Sequence, residues 1–188
     1  MKVTVTSGIV GMVLLVLLAQ PATALKFNAM KSVVEEFVGK DVKLLQKHLK
    51  VTEEVRTAFM KDLNWTPEDD DVLVYYARDA EDRPIAFVLF LTFSLQQFAN
   101  SHHLLGIGLA PDGTILGVRP VELTDPYSFE INRRSFLSQF EGGPPERLLD
   151  PRADIKVVTG ASESSHGAAL LVNRAKLIYT LLISPAFF

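Results

Sequence analysis

The segment Thr159-Gly160-Ala161-Ser162-Glu163-Ser164-Ser165 concentrates more potential chemistry than any other stretch of this chain. The hydroxyls of Thr159, Ser162, Ser164 and Ser165 follow a β-branched run and precede a helical pattern. Gly160 and Ala161 let another group approach the backbone closely. Hydroxyls crowded at a helix N-terminus, where unpaired amides and the dipole favour negative charge, are suited to hold a phosphate. The same pattern also arises when one serine simply caps the helix. Local chemistry leaves these two readings level.

Other chemistries fit less well. Ser162, Ser164, Ser165 and His166 lie close together, but a hydrolase elbow needs Gly-x-Ser-x-Gly. Here Gly160-Ala161-Ser162-Glu163 ends in Ser164, and His166 is too near in sequence to act as a distant base. His102 and His103 are adjacent on a predicted strand and so point to opposite faces, without a third metal ligand. His48 falls on a predicted amphipathic helix, packed or exposed. The acidic run 68–71 reads as a solvated loop, because sequence neighbours seldom converge on a hard cation.

The elements that must position the 159–165 segment follow from periodicity. Residues 27–63 read as helical. Val33, Val34, Phe37 and Val38, then Val42, Leu45 and Leu49, recur at three- and four-residue steps. Gly39-Lys40-Asp41 breaks the run, with Asp41 placed to cap a second helix. Thr52 is placed to cap a third, which turns Val55, Phe59 and Leu63 inward. Residues 72–76 and 85–90 then read as strands joined by a turn-rich loop at 79–84. A second predicted hairpin joins 104–109 to 115–121 through Pro111-Asp112-Gly113. A short helix at 135–140 buries Phe136, Leu137 and Phe140 and stops at Gly142-Gly143-Pro144-Pro145. Residues 155–158 read as a strand leading into the hydroxyl-rich segment. The last helix runs from about 166 to 183, with Asn173, Arg174 and Lys176 interrupting its surface, so it reads as docked and not as a membrane span. The expected fold class is α+β, with a mainly antiparallel sheet, N-terminal helices and a C-terminal helix after the phosphate turn.

Composition sets the address. Lys2, an apolar run over 9–18 and Ala22-Thr23-Ala24 after Pro21 make residues 1–24 a cleaved signal peptide. The run is short for a membrane span, so an uncleaved N-terminal anchor is the lesser alternative. Removing the segment takes Lys2 and no acid, moving the net charge from −3 to about −4. This balance supplies no basic stripe for nucleic acid. The chain has no cysteine, which excludes disulfides, thiolate metal sites and a lipoprotein anchor. Any redox role needs a cofactor held by other means. Residues 25–188 form one globular unit, with N-terminal helices and the first hairpin over 25–103 and the core around the hydroxyl-rich turn over 104–188.

Thr159-Gly160-Ala161-Ser162 resembles the Ser/Thr-Gly-Ala-Thr/Ser motif of the FMN-binding domains in Na+-translocating NADH:quinone reductase, Rnf complexes and nitrous-oxide-reductase regulatory proteins. Residues 105–118 are similar to that family's strand, Asp-Gly turn and returning strand. Phe136-Leu137-Ser138-Gln139-Phe140-Glu141-Gly142 resembles its following helix and glycine. The likeness covers about 104–179. It implies an exported electron carrier or redox subunit, not a stand-alone enzyme, that binds FMN at 159–165. It also implies a membrane redox complex or another electron-transfer protein as partner. Ser162 matches the family residue that can carry FMN through a phosphoester made by a flavin transferase; non-covalent FMN is the other form. Lys156 stands where the transferase motif normally has aspartate, with Asp154 two residues too early. Thr124-Asp125-Pro126-Tyr127 lacks the glycine of the family's Glu-Thr-Pro-Gly-like loop. Lys156 could help neutralise the phosphate, and Tyr127, with Phe129 and Leu123, is a candidate for the ring pocket. The alternative is a flavin-free domain of the same kind that docks onto a membrane complex through its N-terminal helices or its Phe187-Phe188 tail.

Overall fold

Residues 22–40, 42–94, 101–124 and 128–188 are described in the computed structural model of the chain. The body of the predicted signal segment, Asp41 and Tyr127 lie outside them. Helix α1 (Ala22–Val38) turns Val33, Val34 and Val38 inward, as the periodicity predicts.

The second predicted helix does not form. Leu44–Lys50 is instead a strand, β1, paired along its whole length with β2 (Asp71–Arg78), from Leu44↔Ala77 to Lys50↔Asp71. Leu49 is its one buried residue; Gln46, Lys47 and His48 face solvent. The three- and four-residue spacing of Val42, Leu45 and Leu49 suits a helix, but strand pairing with β2 overrides it. His48 therefore lies on a strand, exposed, with Nδ1 3.0 Å from Asp71 Oδ1. Charged side chains on this terminal strand also discourage edge-to-edge association.

Helix α2 (Glu53–Leu63) does form where predicted. The Thr52 Oγ1 accepts from the Val55 amide at 3.4 Å, and Phe59 is fully buried. The chain then continues through β2, β3 (Pro84–Ser94), β4 (His102–Leu109) and β5 (Ile115–Leu123), an antiparallel meander in the order β1-β2-β3-β4-β5. Both predicted hairpins are present. In the β4–β5 turn, the Asp112 carboxylate accepts from the Thr114 amide, and Gly113 donates to the Ala110 carbonyl. That hydrogen bond from Thr114 holds the Asp112 carboxyl below its ordinary range. His102 and His103 separate as alternation requires: His102 Nε2 is 3.2 Å from Glu122 Oε1, and His103 is fully buried.

Helices cover both faces of the sheet. Val34 and Val38 of α1 pack with Ala77, Ala86 and Val88. A Cβ at Gly106 would stand 2.5 Å from Val33, and one at Gly108 2.5 Å from Phe37. These two glycines therefore let α1 lie directly on β4. The opposite face, with Val74, Phe87, Leu89, Leu105 and Ile107, meets helix α4 (Ser162–Ile178) through Ala168, Leu171, Val172 and Ala175.

Between β5 and α4, a 3₁₀ turn (Ser128–Asn132) leads to the short helix α3 (Arg134–Leu137) and a second 3₁₀ turn (Ser138–Phe140). Phe136, Leu137 and Phe140 are buried there as predicted. The strand predicted at 155–158 is absent. The Gln139 side chain takes both main-chain groups of Lys156, accepting from its amide at 2.6 Å and donating to its carbonyl at 3.2 Å. A side chain thus satisfies backbone groups that a neighbouring strand would otherwise meet.

After α4 the chain widens into a π-helical stretch (Tyr179–Ile183) and ends in α5 (Ser184–Phe187). Pro185 lacks an amide and its ring crowds the preceding turn, which accounts for the widening. The continuous stretch Ser162–Phe187 is apolar and long enough for a membrane span, yet 72% of its most apolar window is buried in this fold. It is the central core helix. Asn173 and Lys176, predicted on its surface, are 3% and 1% exposed.

Candidate functional site

The hydroxyl-rich segment forms a tight turn that delivers the chain into α4. Ala161 N–H donates to the Val158 carbonyl at 3.0 Å, closing a four-residue turn with Gly160 at its third position. Gly160 has φ +83°, as a type II turn requires there. A Cβ at Gly160 would meet nothing within 4 Å. The glycine is needed for backbone conformation, and the space outside it is open.

Ser165 holds the turn from beneath. Its buried Oγ accepts from the Val158 amide at 3.1 Å and donates to the Ala161 carbonyl at 2.8 Å. Ser164 is also buried, and Ala161 is 3% exposed within the main core. Thr159, Gly160 and Ser162 lie at the surface. The predicted set is thus divided: Ser164, Ser165 and Ala161 build the turn, and Thr159 and Ser162 present hydroxyls outward.

The N-cap of α4 is Ala161, which makes no side-chain cap hydrogen bond. A capping serine, the other expectation for this segment, does not occupy that position. An alanine has no oxygen to offer, so an incoming anion can take the place of a capping side chain. Glu163, exposed in the first helical turn, is stabilised by the helix dipole and opposes a second negative charge beside it.

The remaining predicted residues are more scattered. Lys156 is exposed, with its main chain fixed by Gln139. Leu123 is partly buried against the main core, whereas Phe129 is 75% exposed. Tyr127 lies outside the described residues. Phe187, predicted as part of a docking tail, packs instead on Tyr76 and Phe87 with ring centroids 4.8 and 4.9 Å away. Phe188 is 71% exposed.

Sequence reasoning missed the side chains that tether the 141–158 loop beneath this turn. Asn173 makes a reciprocal pair with Leu149, its Nδ2 donating to the carbonyl and its Oδ1 accepting from the amide, both at 2.8 Å. Lys176 Nζ donates to the Arg147 carbonyl at 2.7 Å. Burial lowers the Lys176 pKa, and the nearby Arg147 charge adds to that effect. The available signal was polar residues three apart on an otherwise apolar helix, which places both on one face.

No known protein-family model matches the chain, and no curated protein matches it. Among solved structures, the chain is similar to the crystal structure of Shewanella oneidensis NqrC. The two are 16% identical, with 80% of this chain and 89% of that chain covered and a TM-score of 0.48. So distant a likeness assigns no residue.

Proposed function

We propose that this chain is an exported electron carrier that seats the phosphate of FMN on the 159–162 turn, with Ser162 as the point of phosphoester attachment. One observation carries the reading: Ser162 is exposed at the first position of a 17-residue helix whose cap residue supplies no oxygen. The residues present fit a phosphate. Main-chain amides of the first helical turn and the outward hydroxyls of Thr159 and Ser162 are its natural donors. The open space outside Gly160 leaves room for it. The likeness of Thr159-Gly160-Ala161-Ser162 to the FMN-binding motif supports the choice of FMN among phosphate ligands.

Bound FMN would supply the redox chemistry, which in this reading the chain, having no cysteine, draws from a cofactor. The protein's own residues hold and orient. Ser165 and the Gly160 turn fix the backbone that faces the phosphate, and α4 anchors that turn in the core. Lys156 contributes charge near the site, and Tyr127 and Leu123 contribute to the ring environment. In this reading the chain works outside the cytoplasm as part of a membrane redox complex or with another electron-transfer protein, after loading by a flavin transferase.

The test is to express the chain for export with and without a flavin transferase and record the flavin spectrum before and after denaturation. Flavin that survives denaturation in the parent and is lost in Ser162→Ala is the expected result. Flavin released on denaturation would retain the site but remove the phosphoester. No flavin in either preparation, even after incubation with FMN, would overturn the proposal and leave a docking module, with Phe129 and Phe188 as its exposed aromatics.

A further inference from the structure

β2 and β3 separate at one end. Their ladder runs from Arg78↔Pro84 to Tyr75↔Val88 and stops there. Yet β2 extends back to Asp71 along β1, and β3 extends forward to Ser94 along β4. A cavity of about 610 Å³ opens between the two strand ends, within the roughly 300–1,000 Å³ usual for ligand pockets.

Its walls form a slot bordered by residues of both faces of the sheet. Leu73, Tyr75 and Phe90 line it, and Tyr75 and Phe90 pack with the α1-side cluster. Val72 and Leu91 line it as well, and they pack with the α4-side cluster. Neighbouring residues on a strand face opposite ways. Residues of both sets therefore border the gap where β2 and β3 part.

Arg174 stands at the α4-side mouth. Its guanidinium carbon lies 4.3 Å from the centre of the Trp65 ring, and Nη1 donates to the Thr92 carbonyl at 3.3 Å. That carbonyl lies beyond the point where β2 stops pairing. Glu68, Asp69 and Asp71 also line the cavity, and Arg174 is the one cation among the described residues that do. Neighbouring Asp70 is engaged by Arg56 at 2.8 Å, which fixes the acidic loop at the rim.

We propose that this slot takes an extended peptide segment of a partner protein, carrying basic side chains, by addition to the facing edges of β2 and β3 that pair with no strand among the described residues. A strand edge without a ladder partner is a template for another chain. Strand addition gives affinity through main-chain hydrogen bonds and specificity through alternate side chains. The stretch of β2 that pairs with β1 but not with β3, Asp71 to Val74, accepts about four residues on its β3-facing edge, or roughly 13 Å of extended chain. Tyr75, Phe90 and Leu91 receive apolar side chains. The three carboxylates select basic neighbours and disfavour a small anion, which would meet them together with a single guanidinium.

Trp65 is the only tryptophan in the chain, so its fluorescence reports occupancy of the slot. The probes are the acetylated, amidated peptides Lys-Val-Thr-Val-Lys and Glu-Val-Thr-Val-Glu, and the basic peptide N-methylated at alternate residues. Saturable change with the basic peptide is expected, with affinity at least tenfold higher than for either other peptide. The bound state should also slow amide hydrogen exchange at Val72 to Val74 and Leu89 to Leu91. The double variant Glu68→Gln, Asp69→Asn, in an exposed loop, should weaken the basic peptide at least fivefold at low salt with unchanged stability. No fluorescence change up to millimolar peptide would overturn the proposal. So would equal binding of the N-methylated peptide, which would mean that side chains and not main chain are recognised. Equal binding of the acidic peptide would overturn the charge selection.

Discussion

At the scale of single residues, the division among the serines is the main result. Four hydroxyls that look equivalent in sequence take two roles, because the turn ending at Ala161 exposes Thr159 and Ser162 while the helix carries Ser164 and Ser165 into the core. Ser165 satisfies the Val158 amide and the Ala161 carbonyl together. Ser165→Ala should therefore cost about 1–3 kcal/mol, the range for leaving a buried polar group without its partner. Urea denaturation checks this, and a loss below a few tenths of a kcal/mol would show that the turn does not depend on this side chain. Ser162→Ala should leave stability nearly unchanged, since its hydroxyl is exposed and supplies no cap. The proposed flavin attachment and the stability of the turn are thus separable by substitution at Ser162 and at Ser165.

At the scale of elements, α4 organises the region beneath the site. Its apolar face packs on the sheet, and its buried polar residues hold an irregular loop that has no strand to pair with. The reciprocal Asn173–Leu149 pair imitates one step of a β ladder. Asn173→Ala removes both bonds and should destabilise the fold by about 2–4 kcal/mol. It should also speed tryptic cleavage at Arg147 and Arg152 relative to the parent. Unchanged cleavage would mean that Lys176 and the Gln139 contacts suffice to hold the loop. The same contrast explains why 44–50 is a strand and 155–158 is not. β1 forms because β2 offers a continuous partner, whereas 155–158 stays irregular because side chains occupy its main-chain groups first.

At the scale of the whole molecule, Tyr179 joins the end of α4 to the distant β4–β5 turn through a 2.7 Å hydrogen bond from its hydroxyl to the Pro111 carbonyl. Burial raises its pKa, and the Asp112 charge adds to the effect. The unfolded chain releases the tyrosine proton near pH 10, before the folded chain does. The stability from this shift is complete below pH 10 and is lost as pH rises through the higher folded value. Tyr179→Phe should lower stability at neutral pH and flatten the decline above pH 10. Parallel declines in both proteins would show that other groups govern alkaline unfolding.

The sequence by itself determined the elements whose cues are local. Thr52 and α2, the Pro111-Asp112-Gly113 turn, the buried Phe136, Leu137 and Phe140, and the passage from a Gly-Ala turn into a long helix could all be read directly. Capping, turn conformation and amphipathic period are short-range properties, so the residues that cause them lie side by side. The antiparallel α+β class followed from the order of those elements. Only the tertiary structure decided that 44–50 is a strand, that Asn173 and Lys176 face inward, which serines remain outside, and that β2 and β3 part to form a slot. Each of these depends on a partner distant in sequence: β2 for β1, Leu149 and Arg147 for α4, Val158 for Ser165. Local pattern cannot encode which partner reaches a backbone group first, and that competition settles what the site presents.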